Sequence, residues 1–499
     1  MVWAYKAQPS PQTTAIPMKT PSIKVNAVFN ISYNLIRILF PLITFPYVTR
    51  VLGPVGIGVV AFAQSIATYF IKFSALGIPM YGTRTIARIR NDQHTIKRTF
   101  SELIVLGAGL SIIATVLYVL LYPVIDDSFP NIALYMSFGL MVLTGFATID
   151  WYYQGMEDFR FITLRNLFIR ALSVVAIFVF VRERDDYLLY GWIWIAGSVI
   201  ASVINLGNGV RTSGFTFGSI RPMHHLPWVM PTFAISLASH LYAGIDTVML
   251  GILSGDGGLQ LGLYTMGNRV TKIVMTIVVA LIAVVTPRVA SLVGSGDQSK
   301  AKKLTDRTIQ IVVFLSLPMA VGIALLASDI AVAFGGAEFR MAGIPMAILS
   351  GQLILISVGN VAANQALYAH GKAYTIAGST VVAIVVAIGM NLVLIPRSGA
   401  EGAAVGTLVA RLVEVAIQVG FGFFWLKSGL LNITNVKTLI AVGVMFGFLI
   451  FGMPPLSIET LSFRLIISTI LGAGVFLLAS AILKNEVLHS LWLGLRFRE

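Results

Sequence analysis

Runs of about 20 apolar residues recur from one end of this chain to the other, and nothing else in the sequence constrains the fold as tightly. A helix rising 1.5 Å per residue crosses roughly 30 Å of hydrocarbon in about that length. Such runs fall near 25–48, 55–78, 101–122, 130–150, 161–181, 187–208, 227–253, 261–284, 308–328, 342–368, 374–396, 401–426, 435–453 and 462–483. Within hydrocarbon, the backbone polar groups must be satisfied inside the chain, and runs of this kind satisfy them as helices, not as barrel strands. The sequence therefore predicts an all-α polytopic membrane protein of about 14 transmembrane helices. Only 11% of its 499 residues are charged, against about 25% in soluble domains.

The charged residues that remain are unevenly placed. With the amino terminus in the cytoplasm, the connections on that side carry 23 Lys and Arg, among them Arg84, Arg88, Lys97, Arg98, Arg160, Arg165, Arg288, Lys300 and Lys303, against 6 on the other. The excess places both termini in the cytoplasm. The formal net charge of +14 then points to lipid headgroups and an anionic substrate, not to nucleic acid. No cysteine is present, so disulfides, a thiolate nucleophile and cysteine metal sites are excluded. Residues 1–24, rich in Pro, Thr and Gln, lack the apolar core of a secretory signal and read as a flexible cytoplasmic tail. The connections are short, the longest polar one running from about Gly209 to Leu226, and none can hold a soluble catalytic domain of about 50 residues.

The sequence also resembles itself. "RVLGPVGIGVVAFAQS", after span 1, is echoed by "VMLGILSGDGGLQLGLYTMGNR", after span 7; "DWYYQGMEDFRFITLRN" finds a counterpart in "NQALYAHGKAYTIAGST". The shared order predicts a first lobe over 25–208 (spans 1–6), a cytoplasmic linker over 209–226, a second lobe over 227–430 (spans 7–12), and two further spans with a tail over 431–499. Six-helix repeats of this kind are a transporter architecture, with the substrate site between the halves.

Four cations interrupt apolar spans: Arg37, Lys72, Arg269 and Lys272. Each costs about 2.5–3.5 kcal/mol at a helix centre, so they are expected to face a polar lumen. Arg37 lies too deep to snorkel, whereas Lys72, near a span end, can also reach the headgroups. Clustered cations without enough carboxylates suit a phosphate-bearing ligand. The candidate ion-coupling groups or charge partners are Asp246, His240, Glu414 and Asp150. Asp246 reads equally as a loop-facing acid near its span end, Glu414 as the local partner of Arg411 three residues away, and His240 as a packing residue. The stretch "GPVGIG" lacks the Lys and Ser/Thr of a phosphate loop, and its glycines and Pro54 instead shape a tight turn and helix packing. No metalloprotease or Ser/His/Asp pattern is present, so the chain does not read as an enzyme. "PRVASLVGSGDQSKAKKLTDR" reads as a basic amphipathic segment lying on the headgroups.

The stretches "YVTRVLGPVGIGVVAFAQSI", "LGIPMYGTRTIARIRND", "DWYYQGMEDFRFITLRN", "GIDTVMLG" with "LGLYTMGNRV", and "LIPRSGAEGAAVGTLVARLVE" resemble the oligosaccharide flippases of the polysaccharide-transport family, in the superfamily that includes multidrug and toxin extrusion transporters. The resemblance covers about residues 25–430. It implies two lobes alternating between inward-open and outward-open states in a bacterial cytoplasmic membrane. It implies as substrate an undecaprenyl-pyrophosphate-linked oligosaccharide, moved outward for O-antigen, capsule or exopolysaccharide assembly. The implied partners are membrane lipids, a polysaccharide polymerase and glycosyltransferases; no cofactor is expected beyond a coupling H+ or Na+. Family members carry cavity cations on their first, second and eighth helices, the spans of Arg37, Lys72 and Arg269. A lipid II flippase and a cation-coupled multidrug antiporter of the same superfamily are the nearest alternatives; a membrane polymerase or ligase would need a large external loop, and the two-lobed repeat disfavours a channel.

Overall fold

A computed structural model describes residues 23–125, 131–218, 220–452 and 461–490; of the expected amino-terminal tail, residues 1–22 lie outside them, and Ile23 and Lys24 begin the first helix. For Arg37 and His240 the backbone alone is described. Fifteen α-helices follow in order: α1 (Ile23–Ala75), α2 (Ile78–Ile89), α3 (Gln93–Ile125), α4 (Ile132–Leu143), α5 (Asp150–Gly155), α6 (Phe159–Phe180), α7 (Tyr187–Ser213), α8 (Leu226–Leu253), α9 (Leu259–Gly294), α10 (Gln298–Gly335), α11 (Gly343–Ser350), α12 (Gln352–Val361), α13 (Ala373–Leu430), α14 (Ile433–Gly447) and α15 (Leu461–Ile482). Among the described residues no strand forms.

Ten of these helical stretches are long and apolar enough to cross a membrane, or eleven if the pair Ile132–Leu143 and Gly145–Gly155, bent by 42°, is one span. Two of the longest helices are really pairs. Gly53, at φ 68°, breaks α1, and Gly399, at φ 49°, breaks α13. Left-handed backbone costs glycine little, so each break reverses the chain without a separate loop. With α1 and α13 divided and α8 included, a helical segment underlies each of the fourteen apolar runs.

Two features depart from the sequence reading. The basic stretch after Pro287 does not lie flat: α9 continues to Gly294, and α10 begins at Gln298, capped by Asp297 accepting from the Lys300 N–H. At 36 and 38 residues these helices are about 54 and 57 Å long, so the pair outruns the hydrocarbon. The connection after span 2 contains α2, an amphipathic helix that buries Ile78, Gly82 and Ile86 against α5.

The packing is asymmetric end to end. One apolar core spans both halves of the chain near Gly53, bringing Phe45, Leu52 and Ile57 of α1 together with Leu261, Tyr264 and Met266 of α9. There backbone meets backbone: a Cβ on Gly58 would lie 1.9 Å from the Gly258 carbonyl oxygen, and one on Gly262 would lie 1.8 Å from that of Pro54. The two stretches that echo each other in sequence thus pack directly on one another. At the opposite end the cores separate, one around Leu103, Ile149 and Trp151, another around Ile282, Ile309 and Leu426. α14 and α15 pack on α10 through a fourth cluster around Phe314 and Phe476.

The chain between the halves is pinned to α3. Buried Glu102 accepts hydrogen bonds from the Arg98 guanidinium (3.0 Å), the Arg221 backbone N–H (2.9 Å) and His225 Nε2 (2.8 Å), while the Tyr81 hydroxyl lies 2.8 Å from His225 Nδ1.

Candidate functional site

The charges that interrupt apolar helices converge at middle depth between the halves. Counted along the helices from the closed Gly53 end, Asp246 lies about 11 Å in, Arg269 about 15 Å, Arg411 about 17 Å, Lys272 about 20 Å and Tyr69 about 23 Å. They come from α8, α9, the second limb of α1 and the second limb of α13, elements that meet across the interface.

Arg269 lies with its guanidinium 4.9 Å from the centroid of Phe45, on the first limb of α1. An aromatic face in a dry setting stabilises a cation while leaving its N–H fork free for another partner. Lys272, one turn further on, keeps accessible surface while enclosed by protein, with Asp246, Arg269 and Arg411 all within its electrostatic reach. An ammonium that keeps accessible surface while other helices surround it faces a cleft between them. Among the described residues neither Arg269 nor Lys272 has a carboxylate at ion-pair distance.

Asp246 is not the loop-facing acid that its place near the span end allowed. It is buried, 5% exposed; the Tyr264 hydroxyl donates to Oδ2, Thr407 Oγ1 lies 3.2 Å from the same oxygen, and Oδ1 has no hydrogen-bond partner among the described residues. An orphaned carboxylate oxygen in a buried site is costly. Glu414 is engaged otherwise. Arg411 Nη1 donates to its Oε2 at 2.5 Å and Thr380 Oγ1 to its Oε1 at 3.0 Å, while the Arg411 guanidinium covers the Tyr242 ring at 4.3 Å.

The remaining candidates do not join the cluster. Lys72, half-buried, stands at the far end of α1. Asp150 sits at the start of α5, where buried Arg165 donates to its Oδ1 at 2.9 Å and Asn205 Nδ2 to the same oxygen at 3.1 Å. Arg165, expected in a connection, is a helix residue only 4% exposed in its side chain, so this pair holds α5, α6 and α7 together. The side chains of Arg37 and His240 lie outside the described residues.

Sequence reasoning missed Arg170. It stands about 15 Å into α6 from the closed end, with its guanidinium 5.6 Å from the centroid of Phe40 on α1. Its position in the middle of the run 161–181 carried the same signal as Arg37. The tyrosines that surround Asp246, namely Tyr69, Tyr242 and Tyr264, left no such trace, since tyrosine is unremarkable in an apolar helix.

A family model described as "Polysaccharide biosynthesis protein" matches residues 23–293, and one described as MatE matches residues 231–395. A protein of Escherichia coli (strain K12) named as an O-antigen transporter is 22% identical over 353 residues, 70% of this chain and 84% of that relative. A Haloferax volcanii protein named as a low-salt glycan biosynthesis flippase is 28% identical over 217 residues, 43% of this chain and 45% of the relative. Among solved structures, the lipid II flippase MurJ in an inward closed conformation matches with a TM-score of 0.73 at 13% identity, over 93% of this chain and 99% of that one. At that identity the likeness is one of fold.

Proposed function

From the premise that this chain belongs to the polysaccharide biosynthesis protein family, we propose that it is a flippase that moves undecaprenyl-pyrophosphate-linked oligosaccharide units from the inner to the outer leaflet of a bacterial cytoplasmic membrane. It is a multi-pass membrane protein, and its relatives carry the names of transporters and flippases. The observation that carries the reading is the pair Arg269 and Lys272: lumen cations at middle depth with no carboxylate at ion-pair distance among the described residues. That excess of positive charge is what a pyrophosphate requires on leaving water, and it disfavours the cationic substrates of a drug antiporter.

In this reading residues 25–208 and 227–430 act as two lobes, and both termini are cytoplasmic. The saccharide and pyrophosphate enter from the end where the cores separate, while the polyprenyl chain stays in lipid. Arg269, Lys272 and Arg37 replace the water of the pyrophosphate, with Lys72 at the entrance. Outward movement of an anion across an inside-negative membrane is favoured by about 2.3 kcal/mol per charge per 100 mV. Asp246, with its free oxygen, takes a proton or Na+ to reset the carrier.

The test uses proteoliposomes containing a fluorescent undecaprenyl-pyrophosphate oligosaccharide and an impermeant quencher. Wild type and Arg269→Lys are expected to bring the probe to the quenched leaflet, Arg269→Ala and Arg269→Glu to fail. Transport undiminished in Arg269→Glu would sink the assignment of the cation, and no transport by folded wild type would sink that of the substrate.

A further inference from the structure

We propose that the second half of the chain carries a headgroup site for an anionic phospholipid, built from Lys302, Lys372 and Trp425 at the end where the cores separate. Three elements bring these residues together. The first turns of α10 place Lys302, the turn closed by Gly371 (φ 75°) places His370 and Lys372, and the last turns of α13 place Phe424 and Trp425.

The geometry is that of two ammonium groups held on aromatic faces. Lys372 Nζ lies 4.9 Å from the Trp425 ring centroid and Lys302 Nζ 5.8 Å from that of Phe424. The two rings meet edge to face at 5.8 Å, so both cations belong to one patch. The His370 ring stacks on Trp425 at 4.2 Å, fixed by Nδ1 donating to the Ala366 carbonyl at 2.7 Å and by Nε2 lying 3.1 Å from Gln298 Oε1. A ring face positions an ammonium but does not saturate its three N–H donors, which stay open to phosphate oxygens. Around the patch stand large aromatics turned outward: Tyr374 is 92% exposed, Phe424 76% and Tyr368 65%. Amphipathic rings so exposed at the ends of spanning helices belong at headgroup depth.

The local acids do not cancel the charge. Asp297 is occupied by Lys300 at 2.7 Å. Asp306, within electrostatic reach of Lys302, accepts from Ser428 Oγ at 2.8 Å. A bilayer lipid, not the transported pyrophosphate, is the occupant. From Arg269 to the end of α9, next to the patch, is about 37 Å along the helix, too far for one headgroup to bridge. The proposal rests on the membrane-spanning fold alone and stands or falls separately from the transport reading.

Native mass spectrometry of the full-length protein, titrated with phosphatidylglycerol or phosphatidylcholine of the same acyl chains, tests it. Wild type is expected to retain phosphatidylglycerol preferentially, and Lys302→Gln with Lys372→Gln to weaken that binding about 30-fold, roughly five-fold per lysine, with phosphatidylcholine unchanged. Lys437→Gln, at a half-buried lysine elsewhere that donates to the Lys484 carbonyl, should leave the preference intact. If the double variant does not fold, each single variant should show the five-fold loss alone. Equal retention of the two lipids by wild type, or phosphatidylglycerol binding unaffected in the variants, overturns the site. So does displacement of the lipid by equimolar inorganic phosphate, which would assign the patch to a soluble anion.

Discussion

Two aspartates illustrate what a residue owes to its surroundings. Asp150 and Asp246 both end up next to membrane-depth cations, but Asp150 is consumed by Arg165 and Asn205, whereas Asp246 keeps one oxygen free. Removing the charge at Asp150 should therefore act on stability. Asp150→Asn leaves the buried Arg165 guanidinium without a counter-charge and is expected to cost about 3 kcal/mol or more, read as a lowered melting midpoint in detergent. Asp246→Asn should behave oppositely, since an amide can still accept from Tyr264: the fold is kept and the transport cycle of the proteoliposome assay is lost. Unaltered turnover in Asp246→Asn would remove it from the coupling role.

At the scale of elements, helix ends and crossings carry the predictions. Asp92 caps α3, accepting from the Thr95 hydroxyl at 2.5 Å and from the N–H groups of Thr95 and His94 at 3.1 Å. The Thr95 hydroxyl, then its N–H, holds the carboxyl below the ordinary carboxylate range. A depressed folded pKa means that the cap's contribution is complete above the unfolded value, near 4, and is lost as pH falls through the folded one. Asp92→Ala should thus lower stability by about 1 kcal/mol at neutral pH, with the gap to wild type shrinking in acid. The crossing of α1 and α9 is less forgiving. Gly262→Ala drives a methyl into the Pro54 carbonyl and must displace one helix, while Gly378→Ala, with nothing within 4 Å of its Cβ, should be nearly neutral in the same melting assay.

For the molecule as a whole, the question is what keeps the Gly53 end closed. Arg184 pairs with Glu338 across the halves, but both are largely exposed, and such pairs contribute under about 1 kcal/mol. The Arg50 guanidinium donating to the Ala333 carbonyl at 2.5 Å, the shared core and the glycine contacts are the stronger ties. Spin labels at Val55→Cys and Leu259→Cys, on either side of this seam, report its width, and the chain offers no native cysteine to interfere. Glu338→Ala is expected to leave the distance distribution nearly unchanged, and Gly262→Ala to add a longer-distance population. The reverse pattern would make the ion pair the latch.

The sequence by itself determined the places and helical nature of the apolar segments, because the bilayer imposes a length and an apolarity that each segment must meet alone. It also exposed Arg37, Lys72, Arg269 and Lys272 as costly residues, since the cost of a charge in hydrocarbon is read one residue at a time. What it left open was which costly residues meet. Asp246 reaches Thr407 across 161 positions and Asp150 reaches Arg165 across 15, and no local pattern distinguishes the free carboxylate from the paired one. The same holds for the glycines: "GPVGIG" promised a turn, but only the crossing of α1 on α9 makes Gly58 and Gly262 points of backbone contact. Side-chain partnership in a bundle depends on helix rotation and depth relative to other helices, and those are set by the packing of the whole.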